Sequence, residues 1–265
     1  MVSRCGRFGW VFAAALSLAT GAAPARAGEV VAIYTAYWAG LPAAEIRLRL
    51  RDGDAAYHNE IEISTKGLPQ LVTHFKTTAS AEGRLAAGRL AAPSRYDAVY
   101  DLRQRRDRRV SMRFTPRGSA VIAERGPDDT STKPPLAETF RSNTVDPLTA
   151  FERIRGVLRG AQPPDKPFVI PVYDGARRFD IVGRILPKAE AREGALRVEL
   201  TLRPIAGFKG ETSEDGDPDT APRKVDLLVT DDERAVPLSI TVPIFFMPFV
   251  VLFERLCPTA ETCPG

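Results

Sequence analysis

Along most of the chain apolar and polar side chains alternate with a period of two, the pattern of strands buried on one face. In "EIRLRLR", Ile46, Leu48 and Leu50 alternate with Arg47, Arg49 and Arg51. After the turn-forming Asp52, Gly53 and Asp54, "YHNEIEIS" alternates Tyr57, Asn59, Ile61 and Ile63 with His58, Glu60 and Glu62. The two runs predict a hairpin with one apolar and one charged face, on which arginines of one strand neighbour glutamates of the other. Further strands are predicted over residues 30–38, 71–79, 94–102, 110–115 and 120–124, and in the second half over 168–173, 177–186, 196–204, 225–230 and 238–244.

One stretch changes period. "VDPLTAFERIRGVLRG" opens with Asp146 as N-cap and Pro147 at the first helical position, and Gly160 suits a closing left-handed turn. Leu148, Phe151, Ile154 and Leu158 fall on one face of this helix, and Glu152, Arg153 and Arg155 mostly on the other. The apolar stripe reads either as core packing or as a lid over a cavity. Two breaker-rich segments, 125–144 and 210–224, read as loops, and neither is long enough to demand two domains.

The N-terminus changes the expected compartment. Arg4 and Arg7 precede the apolar "WVFAAALSLATGAA", and "ARA" before Gly28 places Ala25 and Ala27 at small-residue cleavage positions. The expectation is a signal peptide over residues 1–27, cleaved after Ala27, and a periplasmic protein. The remaining chain suffices for one large β-rich domain or two small ones. Three arginines of the leader (Arg4, Arg7, Arg26) carry most of the net charge of +4, so overall basicity does not argue for nucleic acid. Cys257 and Cys263, in "CPTAETC", read as a disulfide in an oxidising compartment or as two free thiols on a tail.

Candidate chemistry is sparse. In "YDGARRF" the Asp174-Gly175 pair marks a hairpin turn, so the clustered Asp174, Arg177, Arg178 and Asp180 are expected at a solvated tip. No nucleophile elbow, zinc-protease helix, phosphate loop or C-x-x-C is present, and the only histidines are His58 and His74. No cofactor and no metal site is expected; the acidic loop of Glu214, Asp215, Asp217 and Asp219 lacks calcium-loop spacing. "DLRQRRDRRVSMRF" concentrates arginines at a hairpin tip, where Arg105, Arg106, Arg108 and Arg109 are either solvated or placed to contact anionic headgroups or an acidic partner. The late run "VPLSITVPIFFMPFVVLFERL" is broken by Pro243 and Pro248 and is too short to span a bilayer. It is either buried strand or a surface presenting Phe245, Phe246, Phe249 and Phe253 to an apolar ligand or membrane.

The segments "YTAYWAGLPAAEIRLRL", "GRLAAPSRYDAVY", "VDPLTAFERIR", "PVYDGARRFDI" and "LLVTDDERAVPLSI" occur in the order seen in a bacterial exported family called domain of unknown function 3108. The chain resembles that family from about Val30 to Leu256. The family has no assigned activity, so no catalytic residues carry over. The resemblance implies a mainly β fold: one domain over residues 28–256, a large antiparallel sheet curled into an open half-barrel, and a helix on its concave side, with 257–265 as a tail. It looks like the architecture of the periplasmic lipoprotein carriers LolA and LolB, which hold acyl chains in that concavity. The ending "PIFFMPFVV" is more apolar than the family pattern.

These readings converge on a non-enzymatic periplasmic binding or carrier protein for a hydrophobic ligand such as a lipid or acyl chain. The expected lining is Leu148, Phe151, Ile154 and Leu158 with Phe245, Phe246 and Phe249, and a membrane surface or envelope protein is the expected docking partner. The alternative is an envelope scaffold without a small ligand, marked by a dry, packed core beneath the helix. A hydrolase would need His58 or His74 to meet a serine and an acid in one pocket.

Overall fold

The computed structural model describes residues 28–67, 70, 75–86, 90–102, 105–116, 118–125, 136–160, 166–187, 191, 193–208, 220–244, 247–257 and 263. The first half holds strands β1 (Gly28–Trp38), β2 (Leu41–Asp52), β3 (Ala56–Thr65), β4 (Phe75–Leu85), β5 (Ala91–Leu102), β6 (Arg105–Phe114) and β7 (Ala120–Arg125). Two helices follow, α1 (Glu138–Arg141) and α2 (Pro147–Arg159). The second half holds β8 (Phe168–Tyr173), β9 (Arg178–Ile185), β10 (Ala195–Ala206), β11 (Arg223–Thr230), β12 (Pro237–Ile244) and β13 (Met247–Cys257).

All thirteen strands form one sheet, in the order β7-β6-β5-β4-β3-β2-β1-β13-β12-β11-β10-β9-β8. Each half is an antiparallel meander, and the two join where β1 pairs with β13, Val31 opposite Cys257 and Trp38 opposite Phe249. The β2–β3 hairpin has the expected register, with Arg47 opposite Glu62 and Arg49 opposite Glu60. Arg49 Nη1 donates to Glu60 Oε2 at 2.6 Å.

The sheet edges, β7 and β8, are bridged by the chain between them. Arg141 Nη1 donates to the Ala120 carbonyl on β7 (3.0 Å). Val145 N donates to Pro171 O and Tyr173 N to Val145 O, both at 2.9 Å, so this segment adds a short parallel pairing to β8. At the β8–β9 turn, Gly175 has φ +94°, and a Cβ there would lie 2.5 Å from Val110 Cγ1 on β6. The sheet is thus nearly closed into a barrel, further curled than a half-barrel.

Two strand expectations need correction. The strand placed over 71–79 is β4, Phe75–Leu85. Its inward positions, Thr77, Ala79, Ala81 and Gly83, are small, so they carry little hydrophobic periodicity to read. Small residues are required because α2 packs across β3, β4 and β5. The arginine run is mostly strand, since β6 begins at Arg105 and pairs with β5. The late apolar run forms β12 and β13, in line with the strand reading of the sequence, and β13 is hydrogen-bonded on both sides.

Gly83 carries a specific steric demand. A Cβ at this position would meet Ala92 O at 2.2 Å and Tyr57 Oη at 2.6 Å. The backbone oxygen cannot swing away, so Gly83→Ala is expected to cost about 1–3 kcal/mol through forced shifts. Urea unfolding measures this, and a change below about 0.5 kcal/mol would mean that the β4–β5 bulge absorbs the methyl.

Cys263 also packs. Cys257 and Cys263 are joined by a disulfide and lie buried against Val31 and Ile33 on the outer face of β1. Arg47 Nη2 donates to the Cys263 carbonyl at 3.2 Å.

Candidate functional site

Strand direction separates the barrel into two ends. The β2–β3, β4–β5, β9–β10 and β11–β12 connections gather at one end; β1–β2, β5–β6, β8–β9 and β12–β13 gather at the other. Helix α2 lies across the first end. It begins where Asp146 accepts from Thr149 N at 2.8 Å, the N-cap that the sequence proposes. From there Arg153 Nε donates to the Ala91 carbonyl (2.8 Å), Arg155 to the Arg234 carbonyl (2.8 Å) and Arg159 to the Glu233 carbonyl (2.7 Å).

The polar face of α2 turns into the barrel. Glu152 and Arg155 are 0% and 1% exposed. Their charges are matched inside the barrel. Arg155 Nη1 donates to Glu152 Oε2 (2.5 Å) and Nη2 to Asp52 Oδ2 (2.9 Å), while Arg159 reaches Glu152 Oε1 (3.0 Å) and Asp52 Oδ2 (2.6 Å). Asn59 Nδ2 adds a donor to Glu152 Oε2 at 3.2 Å. Two carboxylates and two guanidiniums therefore cancel, and α2 is fastened as a floor instead of hinging as a lid. Burial pushes the Asp52 carboxyl up, but the guanidiniums of Arg155 and Arg159 outweigh it and hold its pKa below the usual carboxylate range.

A second polar chain runs beside the first. Tyr57 Oη lies 2.6 Å from Thr149 Oγ1, and Thr149 donates to Asp146 Oδ2 at 2.5 Å. Complete burial raises the Asp146 pKa to about 6, against the lowering effect of the Thr149 hydrogen bonds. Burial likewise raises the Tyr57 phenol.

The expected lining residues separate around the helix. Leu148 packs with Tyr57, Tyr96, Val110 and Met112 on the first meander. Ile154 and Leu158 pack with Phe168, Ile170, Val198 and Val229 on the second. Phe151 alone faces the junction, where it shares a cluster with Tyr34, Phe249 and Phe253. Phe151 and Phe249 thus pack against one core cluster, whereas Leu148, Ile154 and Leu158 are dispersed into the walls. Phe245, Phe246, His74 and the acidic loop lie outside the described residues, as do the side chains of Arg105, Arg106 and Arg108; Arg109 is exposed opposite Val99.

Exposure rises toward the end away from α2. Near the floor Leu50, Met112, Val198 and Val229 are fully buried, whereas Ile46, Ile63, Phe179, Leu202, Val242 and Phe249 are only partly covered. At the rim Trp38, Leu41 and Met247 are 56%, 53% and 42% exposed. Burial of the inward-facing apolar side chains thus decreases from the polar α2 end toward the rim.

The outer face differs in kind. A hollow of about 370 Å³ lies over Arg47, Arg49, Glu60, Glu62, Thr78, Ser80, Asp97 and Val99. Its charges are largely paired, and His58 Nε2 sits 2.8 Å from Glu60 Oε1 on the same face. Among the described residues no group of three or more His, Cys, Asp or Glu is placed to hold a metal ion. Sequence reasoning missed Asp52, Asn59, Glu152, Arg155 and Arg159 as a unit; the signal available was Arg155 and Arg159 at i, i+4, which share a helix face.

A comparison with curated proteins returned no match. Among solved structures, the chain is similar to the crystal structure of a "Beta-barrel-like Protein of Domain of Unknown Function DUF1849 from Brucella abortus", with 13% identity, a TM-score of 0.47, and coverage of 87% of this chain and 98% of that one. The family described as "Protein of unknown function (DUF3108)" matches residues 33–250, and the chain belongs to that family.

Proposed function

We propose that the protein is a non-enzymatic binding or carrier protein for a hydrophobic ligand, a lipid or acyl chain, held in the cup above α2. The observation that carries this reading is the exposure gradient: inward-facing Ile46, Ile63, Val242 and Phe249 are left half-covered, and the rim ends in exposed Trp38, Leu41 and Met247. Contiguous apolar surface of this kind is costly to leave in water and suits an apolar guest. The leader-like N-terminus supports a periplasmic setting. Arg105, Arg106, Arg108 and Arg109 follow the β5–β6 connection at the open end, where they suit an anionic membrane surface or envelope partner.

Trp38 provides the readout, because the other tryptophan, Trp10, belongs to the N-terminal leader-like segment. Titration with a twelve-carbon acyl compound is expected to shift Trp38 emission to the blue in a saturable way. Phe249→Asp is expected to weaken this binding at least about tenfold, since a charge desolvated by the ligand costs more than a hydrogen bond. Unchanged affinity in a folded Phe249→Asp variant would remove the upper cup from the binding site. A scaffold role without a small ligand is favoured by one observation, the charged hollow on the outer face; it would leave Trp38 emission unmoved by every acyl compound.

A further inference from the structure

Two neighbouring hairpins end without a charged residue. At the β1–β2 turn, Ala39 and Gly40 take positive φ (52° and 78°), the tight two-residue geometry that closes Trp38 opposite Leu41. At the β12–β13 turn only Phe245 and Phe246 separate Ile244 from its partner Met247. Strand β1 pairs with β13, Trp38 opposite Phe249, so the two tips stand side by side. No Asp, Glu, Lys or Arg occurs from Val30 to Ala44 or from Ala235 to Phe253.

These tips meet solvent. Trp38, Leu41, Pro42, Met247 and Pro248 are all exposed. A two-residue turn has no spare chain to fold back over them. Turns at the opposite end are rich in charge, with Asp54 after β2 and Asp231 to Arg234 after β11, so the apolar character belongs to one end alone.

The charges beside the tips select the surface they meet. Arg105, Arg106, Arg108 and Arg109 fall in the first five positions of β6, within roughly 14 Å of the β5–β6 turn at the same end. Guanidinium groups bind phosphate through paired hydrogen bonds and are drawn to an anionic bilayer face. The acidic β10–β11 connection lies on the other side of the apolar tips in the strand order, so the attraction is one-sided and tilts the β5–β6 side toward lipid. Tryptophan suits the boundary between headgroups and acyl chains, where its ring is apolar and its N–H stays wet. Apolar tips flanked by arginines match the two forces that hold a peripheral protein on a bilayer, insertion and attraction to anionic lipid.

We infer that the open end docks on an anionic bilayer, with Trp38, Leu41 and Met247 inserted at the headgroup boundary and the β6 arginines against lipid phosphates. The purpose of this docking rests on the carrier reading, since an apolar guest then passes between bilayer and barrel without crossing water.

Vesicle flotation tests the docking, and acyl titration tests the carrier reading separately. The protein is expected to bind vesicles of phosphatidylcholine with about one-third phosphatidylglycerol at least about tenfold more tightly than phosphatidylcholine alone, since each arginine near an anionic surface adds about a factor of five. Leu41→Asp, at an exposed position, is expected to unfold in urea as the parent does and to lose at least about tenfold in vesicle affinity. Reversing Arg105 and Arg109 to Glu should abolish the preference for anionic vesicles. Absence of flotation, or flotation unchanged in Leu41→Asp, overturns the docking; if Trp38 emission still responds to the acyl compound, the carrier reading stands without it. A preference for anionic vesicles that survives the two reversals overturns the role of the arginines. Flotation that is lost in Leu41→Asp, with no response to the acyl compound, supports the docking and overturns the carrier reading instead.

Discussion

Arg155→Ala is expected to lower the free energy of unfolding by about 3–5 kcal/mol, the largest effect of any single truncation in the floor. The guanidinium is 1% exposed and its removal leaves Glu152, 0% exposed, with only Arg159 and the Asn59 amide against its charge. It also frees the Arg234 carbonyl and half of the Asp52 cage. The loss therefore comes from a stranded buried carboxylate more than from the missing contact itself. A double-mutant cycle separates the two. In a Glu152→Gln background no buried charge is stranded at position 152, so Arg155→Ala should cost less, with a coupling of about 1–3 kcal/mol. Urea unfolding of the four proteins measures it. A single-variant loss below about 1 kcal/mol would mean that water reaches Glu152 and that the floor is not sealed.

Asp146→Asn is expected to flatten the pH dependence of stability. The folded Asp146 has its pKa raised from 3.8 to about 6 by burial. A raised carboxyl pKa means that the folded state holds its proton more tightly than the unfolded chain does. Below pH 3.8 both states are protonated and the group contributes nothing to the difference. Between 3.8 and about 6 the unfolded chain releases the proton first, so stability falls as pH rises. Above that window the loss is complete, about 3 kcal/mol at 1.36 kcal/mol per unit. Asn cannot ionise and remains a strong N-cap able to accept from the Thr149 amide. The stability of the Asn variant relative to the parent should thus increase from pH 4 to pH 7. Asp52 acts in the opposite sense, and its window lies lower: its depressed folded pKa gives stability above the ordinary carboxylate range that is lost as pH falls through the folded value. Chemical unfolding at several pH values checks the sign. A parent–variant difference that stays constant from pH 4 to pH 7 would show that Asp146 titrates normally.

The walls were more legible in the sequence than the floor. A strand with one buried face writes its alternation directly into the chain, as Ile46, Leu48 and Leu50 do against their arginines. The signal faded where β4 turns Thr77, Ala79, Ala81 and Gly83 inward, because room for a helix is made by small residues that look neither apolar nor polar. Helix α2 begins at the N-cap that the sequence proposes, but Gly160 ends it at φ −74°, not in the left-handed turn expected there, since the Gly160 amide simply continues the helical bonding to Gly156. The burial of its charged face was not legible locally: Glu152 and Arg155 are buried only because Asp52 and Asn59 arrive from turns and strands about a hundred residues earlier. The same enclosure scatters the stripe of Leu148, Ile154 and Leu158 among different walls and leaves Phe151 against the junction cluster. The β1–β13 junction is likewise beyond local periodicity, since it depends on which distant strand edges meet.

Whether the partly covered upper walls take an apolar guest decides between a carrier and a scaffold. Native mass spectrometry of the protein, purified from a periplasmic extract without detergent and followed by solvent extraction and lipid analysis, addresses this directly. The carrier reading predicts one bound amphiphile per chain, displaced or weakened in Phe249→Asp. A clean apo mass that gains nothing on addition of 1-dodecanol or other acyl compounds would contradict it and turn attention to the charged outer face as a surface for protein partners.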